Sequence, residues 1–144
     1  MPRIVSVFET CLYVDDLERA RSFYRDLFGF PVLVADDRVC SLAVARDSVL
    51  ILFLRGSTLQ PVALPGGAIP PHDGQGPAHF ALSMERQELE AWRAELAARN
   101  ISIEGEVTWP LGGISIYFRD PDGHLVELAT PGVWDFDKAF SQKT

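Results

Sequence analysis

Glu127 is the residue that most needs a chemical explanation in this sequence of 144 residues. It lies in the run 125–130, in which the two residues on each side of the carboxylate are apolar. The preceding segment, 120–123, is Asp-Pro-Asp-Gly and has the residues of a tight turn: proline fixes φ, aspartate bonds its own backbone and glycine supplies a positive φ. The pattern predicts strand, turn and strand. A carboxylate in a strand that favours burial costs stability unless it is paired or ligated.

Two further polar residues repeat across the halves of the chain. Strand and helix patterns occur in the order βαβββ twice, so the second half repeats the first in pattern and not in identity. Glu9 and His79 occupy equivalent places in the two opening strands, 70 positions apart. Glu127 and Leu52 are predicted to be equivalent in the two closing strands.

The first half predicts one helix and four strands. The strand 5–14 alternates, with Glu9, Cys11 and Tyr13 on one face and Leu12 and Val14 on the other. A helix is expected to follow an Asp15 or Asp16 cap, to carry an apolar stripe from Leu17 to Phe28 and to stop at Gly29, before strands at 30–35, 39–45 and 49–54.

The second half has the same organisation. We expect a strand at 78–84, a helix at 87–99 that stops at Asn100, and strands at 101–108, 113–118 and 125–130. The tail 131–144 carries Trp134, Phe136 and Phe140, and we expect these rings to dock on this chain or on a partner.

The segment 56–77 between the halves contains 5 glycines and 5 prolines in 22 residues. This composition predicts a linker without a regular element. Because long loops in compact domains are usually functional or disordered, we expect it to lie over a site, with His72 and Asp73 at its tip.

Composition narrows the class of protein. The apolar fraction of 47 % supports a sizeable core, and the net charge of −7 argues against nucleic acid or an anionic membrane as a partner. No signal peptide and no apolar run of about 18 residues is recognised. The two cysteines, Cys11 and Cys40, lack metal-binding spacing. We therefore expect a reduced, cytoplasmic protein.

Three motifs together resemble the vicinal oxygen chelate superfamily, the group of glyoxalases, bleomycin-resistance proteins, extradiol dioxygenases and fosfomycin-resistance transferases. They are the segments 12–17 with 23–30, 79–82 and 117–127. The resemblance covers roughly residues 5–130. It implies an α+β fold of two βαβββ modules that form a curved, partly open mixed β-barrel with the helices outside. Module one is then 4–55, the linker 56–77, module two 78–130 and the tail 131–144.

The resemblance also implies a metal site in which Glu9, His79 and Glu127 are the protein ligands. Leu52, at the fourth ligand position, cannot ligate, and Glu9 stands where the family often has His or Gln. Three ligands leave positions open for substrate or water, as in catalytic sites. Two carboxylates and one imidazole neutralise a divalent cation and favour Mn, Fe, Ni or Co, with Zn as a further candidate.

Several of these residues keep alternative interpretations. Glu9 could instead pair with a base such as Arg119. Arg119 either binds an anionic substrate or pairs with a neighbouring aspartate, and Tyr117 is either a substrate contact or a core residue. Tyr13 and Trp109 are expected to line the cavity, whereas three other residues are interpreted as structural or solvated: Cys11 as a core filler, His72 as solvated and His124 as a surface residue.

The sequence leaves two functional hypotheses. The first is a metal-dependent enzyme, of the lyase, isomerase or dioxygenase type, that acts on a small oxygen-rich molecule, with Glu127 or Glu9 as the general base. The second is a non-catalytic drug-binding protein like the bleomycin-resistance proteins. The stretch 110–115 offers one hydroxyl and no cation for a phosphonate, so fosfomycin resistance is not predicted. By resemblance, the chain is expected to be a homodimer that binds a small molecule.

Overall fold

The computed structural model describes residues 1–141 and shows two compact units. The first unit is Met1–Pro77 and the second begins at Ala78. Both contain the predicted βαβββ order, so the α+β fold class is confirmed. Residues 142–144 of the predicted tail lie outside the described residues. Within the described part, none of the helices has the length and apolar character needed to cross a membrane.

The first unit is an open four-stranded mixed sheet with one helix. Its strands lie in the order β1-β4-β3-β2, with β1 and β4 parallel and the other neighbours antiparallel. The elements are β1 Glu9–Val14, α1 Leu17–Phe28, β2 Val32–Ala35, β3 Val39–Ala45 and β4 Ser48–Leu54.

Helix α1 begins and ends where the sequence predicts. The Asp16 side chain accepts a hydrogen bond of 3.0 Å from the Arg19 amide, which satisfies one of the free N–H groups of the first turn. Gly29 ends the helix in the left-handed region, with φ of 71°. The helix buries Ala20, Tyr24 and Leu27 and contacts β3 and β4. On the opposite face of the sheet Glu9 and Cys11 are exposed, whereas Tyr13 contacts His72 of the linker.

The linker is more ordered than predicted. Val62–Leu64 (β5) and Gly67–Ile69 (β6) form an antiparallel hairpin. The prediction of no regular element was therefore wrong. Pro and Gly at 65 and 66 supply the turn of this hairpin, and the glycine of β6 lies directly after it.

The second unit repeats the arrangement of the first. Its sheet has the order β7-β10-β9-β8, again with the outer pair β7 and β10 parallel. Asn100 ends α2 with φ of 58°, as the sequence predicts. The elements are β7 His79–Ser83, a short 3-10 turn Arg86–Glu88, α2 Leu89–Ala98, β8 Gly105–Thr108, β9 Ile114–Arg119, β10 Leu125–Ala129 and α3 Phe136–Ser141.

The turn between β9 and β10 has the predicted hydrogen-bond chemistry, whereas His124, directly after it, differs from the prediction. Asp120 Oδ1 accepts from the amides of Asp122 and His124, at 2.9 Å each, and Gly123 has φ of 82°. His124 is buried, with 1 % of its surface exposed, so the surface prediction was wrong. Its Nδ1 accepts a 2.8 Å hydrogen bond from the Ala78 amide. The imidazole therefore joins this turn to the start of the unit.

Candidate metal centre

His79 and Glu127 meet on the two parallel strands of the second unit. In the register of these strands His79 lies opposite Leu125, and Glu127 lies opposite Ala81. Strand alternation places both side chains on the same sheet face, one pair apart. His79 Nε2 lies 3.1 Å from Glu127 Oε1.

A backbone contact fixes the tautomer of His79. The ring Nδ1 lies 3.0 Å from the carbonyl oxygen of Leu125, which can only accept, so Nδ1 carries the hydrogen. Nε2 then faces the Glu127 carboxylate either as a lone pair or with a second proton. Two lone pairs 3.1 Å apart repel, so the arrangement requires either a proton shared between the two groups or a metal ion bound by both.

The second carboxylate oxygen of Glu127, Oε2, accepts a hydrogen bond that holds the side chain in place. Ser115 Oγ donates a buried 2.6 Å hydrogen bond to Oε2, and Trp109 Nε1 donates to Ser115 Oγ at 2.9 Å. The carboxylate side chain is 10 % exposed, whereas that of His79 is 49 % exposed. The pair thus presents a fixed, buried carboxylate and an accessible imidazole. Such outer contacts orient metal ligands.

Ser115 belongs to this cluster, although the sequence did not single it out as a site residue. Counting outward from the turn pairs Tyr117 with Glu127, and Ser115 is the next residue on the same face of β9. Diagonal neighbours on one face of an antiparallel pair lie within side-chain reach. The strand-turn-strand pattern therefore contained the signal.

Tyr117 stands beside the pair. Its ring centroid lies 6.0 Å from that of His79. Burial raises the pKa of the Tyr117 phenol, and although a hydrogen bond with Ser115 lowers it, the Glu127 charge raises it further. The phenol therefore stays protonated at neutral pH and can donate a hydrogen bond to a ligand in the cavity.

Two predicted site residues lie in the first unit. Glu9 is exposed at the start of β1, opposite Val49. The Tyr13 hydroxyl lies 2.5 Å from His72 Nδ1, so His72 is not simply solvated as predicted. Cys11, on the same face, is exposed and therefore not a core filler. Its thiol is nevertheless partly shielded from solvent, which raises the pKa of the thiol, and the Glu9 charge raises it further.

Arg119 pairs with a carboxylate other than the predicted ones. Its Nε lies 2.9 Å from Glu104 Oε2, its Nη2 lies 3.1 Å from Oε1, and Nη1 donates to the Gly123 carbonyl. Glu104 thus neutralises Arg119, and Arg119 is absent from the described lining of the cavity around His79. Its role in binding a substrate stays a prediction.

Strand register also corrects the predicted equivalence of Leu52 and Glu127. Glu127 lies opposite the third residue of β7, and the corresponding partner of the third residue of β1, Cys11, is Ile51. Leu52 lies opposite Leu12 and is fully buried in the core. Ile51 is apolar as well, so the conclusion that this position cannot ligate a metal is unchanged.

The described residues supply two candidate metal ligands and not three. Residues 1–141 contain no group of three or more His, Cys, Asp or Glu side chains that could hold a metal ion. His79 and Glu127 nevertheless have the donor chemistry of two metal ligands. The hydrogen bond from His79 Nδ1 to the Leu125 carbonyl leaves Nε2 to bind a metal, and Ser115 holds the Glu127 carboxylate. These two residues fit a divalent cation and need a further ligand.

A cavity of about 950 Å³ opens over the pair. Its volume is that of a small-molecule site. His79, Glu127 and Tyr117 line one part of it, together with Trp109. Tyr13, which was also expected to line the cavity, is not among its described lining residues. The remaining wall comes from β7 and from the segment after β10, and includes the residues Phe80, Leu82, Met84, Val133, Trp134 and Phe136.

Comparison with known proteins establishes the family. The sequence profile of the Glyoxalase/Bleomycin resistance protein/Dioxygenase superfamily matches residues 4–128, so the chain belongs to this superfamily. The chain is 27 % identical over 128 residues to a metallothiol transferase FosB of Staphylococcus epidermidis, covering 88 % of this chain and 82 % of that protein. A FosB of Staphylococcus saprophyticus is 29 % identical over 133 residues, with 92 % and 81 % covered.

A solved structure agrees with this assignment. The crystal structure of a lactoylglutathione lyase from Agrobacterium tumefaciens superposes with a TM-score of 0.84 and 31 % identity, covering 94 % of this chain and 100 % of that chain. The glyoxalase-like fold predicted from the motifs is confirmed.

Proposed function

We propose that the chain is a divalent-metal-dependent enzyme that acts on a small molecule bearing two vicinal oxygens. The observation that carries the proposal is the 3.1 Å approach of His79 Nε2 to Glu127 Oε1, with the Nδ1 proton committed to the Leu125 carbonyl. The name metallothiol transferase, borne by relatives at 27–29 % identity, supports a metal. Mn, Fe, Ni, Co and Zn are the candidate metals, and we infer a cytoplasmic homodimer.

The residues of the site have distinct roles in this proposal. His79, Glu127 and Glu9 hold the metal, which when bound supplies Lewis acidity toward substrate oxygens. Glu127 would accept a proton from the substrate at Oε1 once that oxygen has left the metal, while Ser115 continues to donate to Oε2 and so holds the carboxylate. The Tyr117 hydroxyl donates to a substrate oxygen.

Glu9 is proposed to reach the pair of a second copy. Both groups lie at exposed positions of the described units: Glu9 and Cys11 on β1, and His79 and Ala81 on β7, are exposed. Mixing Glu9→Ala with His79→Ala chains tests this arrangement. Exchange of subunits would rebuild complete sites from one copy's Glu9 and the other copy's His79, so metal binding returns. A mixture as empty as its components would refute the shared site.

Removing the metal distinguishes a metal-dependent enzyme from a protein that only binds and sequesters a small molecule. We expect chelation to abolish turnover of vicinal-oxygen compounds and reloading to restore it. Tight binding of a small molecule that is unchanged by chelator, with no turnover of any compound in the metal-loaded form, would instead favour the drug-binding alternative.

A further inference from the structure

The cavity of the second unit is chemically divided. One part holds His79, Glu127 and Tyr117, the groups that can bind or donate to oxygen. The rest is mainly apolar and is formed by β7 and by the segment that follows β10. A ligand whose oxygens reach the polar part must therefore lay the remainder of its structure against apolar side chains.

The cavity has acidic side chains in its described lining and no basic lysine or arginine. Its described lining contains two carboxylates, Glu85 and Glu127, and neither lysine nor arginine. Arg119, on the strand that carries Tyr117, is already neutralised by Glu104. A ligand with several negative charges would find the proposed metal ion but no lysine or arginine among the described lining residues, and burying the remaining charge without a partner is costly.

Two aromatic side chains stand at the apolar part without being buried. Trp134 is 71 % exposed and Phe136 is 64 % exposed, although both line the cavity. Large exposed apolar groups that cluster beside a polar site often mark a binding surface. An aromatic ring of a ligand could stack on them.

The segment that carries these rings is fixed to the sheet. The Gly113 amide donates to the Gly132 carbonyl at 3.1 Å, and a β-carbon on Gly113 would lie 2.5 Å from the Gly132 carbonyl carbon. Only glycine permits this approach at position 113. The contact holds residues 132–134 beside the start of β9, so that Trp134 remains at the cavity.

We infer that the ligand is an uncharged molecule in which two adjacent oxygens are attached to an aromatic body, the oxygens meeting His79 and Glu127 and the ring lying against Trp134 and Phe136. This inference rests on the proposed metal site. It adds the class of ligand, and it excludes multiply charged compounds such as phosphonates.

Three probes test the inference on the metal-loaded full-length protein. Acetohydroxamic and benzohydroxamic acid share one pair of vicinal oxygens, are neutral in solution at pH 7 and differ in the ring. Phenylphosphonate keeps the ring and carries negative charge instead. We expect benzohydroxamic acid to bind about tenfold more tightly than either other probe, because only it satisfies both parts of the cavity. Calorimetry measures the three dissociation constants.

A matched pair of variants locates the ring. Phe136 and Phe140 both lie on α3 with similar exposure, but only Phe136 lines the cavity. Trp134→Ala and Phe136→Ala should each lower the affinity for benzohydroxamic acid several-fold and leave acetohydroxamic acid unchanged. Phe140→Ala should change neither affinity.

The outcomes distinguish this inference from the proposed function. Retained metal with equal affinities for the two hydroxamic acids, or with phenylphosphonate binding as tightly as benzohydroxamic acid, overturns the ligand class and leaves the metal site intact. Equal losses in the Phe136 and Phe140 variants also overturn it. A protein that retains no metal overturns both, and elemental analysis of the same sample identifies that case.

Discussion

Replacing Ser115 with alanine tests how much the candidate metal centre depends on a residue that supports a ligand without being a ligand itself. Ser115 donates the buried 2.6 Å hydrogen bond to Glu127 Oε2 and accepts the one from Trp109 Nε1. The substitution removes both contacts but leaves His79 and Glu127 in the chain. If the carboxylate depends on this serine for its orientation, metal affinity must fall although no ligand is lost.

The structure allows the size of both effects to be worked out. A hydrogen bond to a buried charged group contributes about 1.5–3 kcal/mol to the free energy of unfolding. For a chain of this size about 2 kcal/mol corresponds to a melting temperature lower by roughly 4–8 °C. Removal of an outer contact to a metal ligand typically costs about 10–100-fold in metal affinity.

Metal titration by calorimetry and thermal unfolding of the metal-free protein measure these two quantities. Ser83→Ala is the control, because Ser83 lies in the same cavity on β7, opposite Ala129, and should change stability by less than about 0.5 kcal/mol. A Ser115→Ala protein with the melting temperature and metal affinity of the wild type would refute the reasoning.

Three further predictions concern other parts of the chain. Gly74→Ala should destabilise the protein by about 1–3 kcal/mol, because its β-carbon would lie 2.5 Å from the Tyr13 ring; an unchanged melting temperature would contradict this contact. His124→Ala should cost about 2–4 kcal/mol in chemical denaturation, because it empties a buried site and leaves an amide unpaired, and a smaller cost than that of an exposed substitution would count against it. Glu9→Gln should lower the pKa of the Cys11 thiol, so that iodoacetamide at pH 8 modifies it faster; an unchanged rate by mass spectrometry would show that Glu9 has no such influence.

Features set by neighbouring residues were predictable from the sequence. Helix α1 ends at Gly29 and begins after Asp16 because a side chain and a backbone conformation only a few residues away satisfy its free groups. The turn 120–123 follows from the same local chemistry. Such contacts do not depend on the rest of the fold.

The prediction for the linker was wrong because it relied on composition alone. Many prolines and glycines were interpreted as the absence of regular structure, yet these residues build the turn between two short strands at 62–64 and 67–69. A proline-glycine pair flanked by short apolar runs is itself a hairpin signal. The count of residues was less informative than their order.

Strand register and turn residues account for the other errors. The one-residue difference between Leu52 and Ile51 arose from counting along each strand instead of between paired strands. His124 was placed by strand alternation, but it precedes β10, and its burial depends on the Ala78 amide 46 positions away. Long-range pairing of this kind is not encoded in local periodicity.

The candidate site was predictable in part for the same reasons. Alternation within β7 and β10 indicated that His79 and Glu127 share a face, and the structure brings them to 3.1 Å. Ser115 was missed because its role depends on pairing across the hairpin. Glu9 as the third ligand remains a proposal.

Metal content of the purified, untagged protein tests the central claim most directly. Wild type, His79→Ala and Glu127→Ala proteins would be loaded with Mn²⁺, Fe²⁺, Ni²⁺, Co²⁺ or Zn²⁺, dialysed and measured by elemental analysis, with circular dichroism to confirm folding. We predict about one ion per chain in the wild type and loss of that ion in both folded variants. Equal, background metal content in all three proteins would contradict the account and make the contact between His79 and Glu127 a structural ion pair.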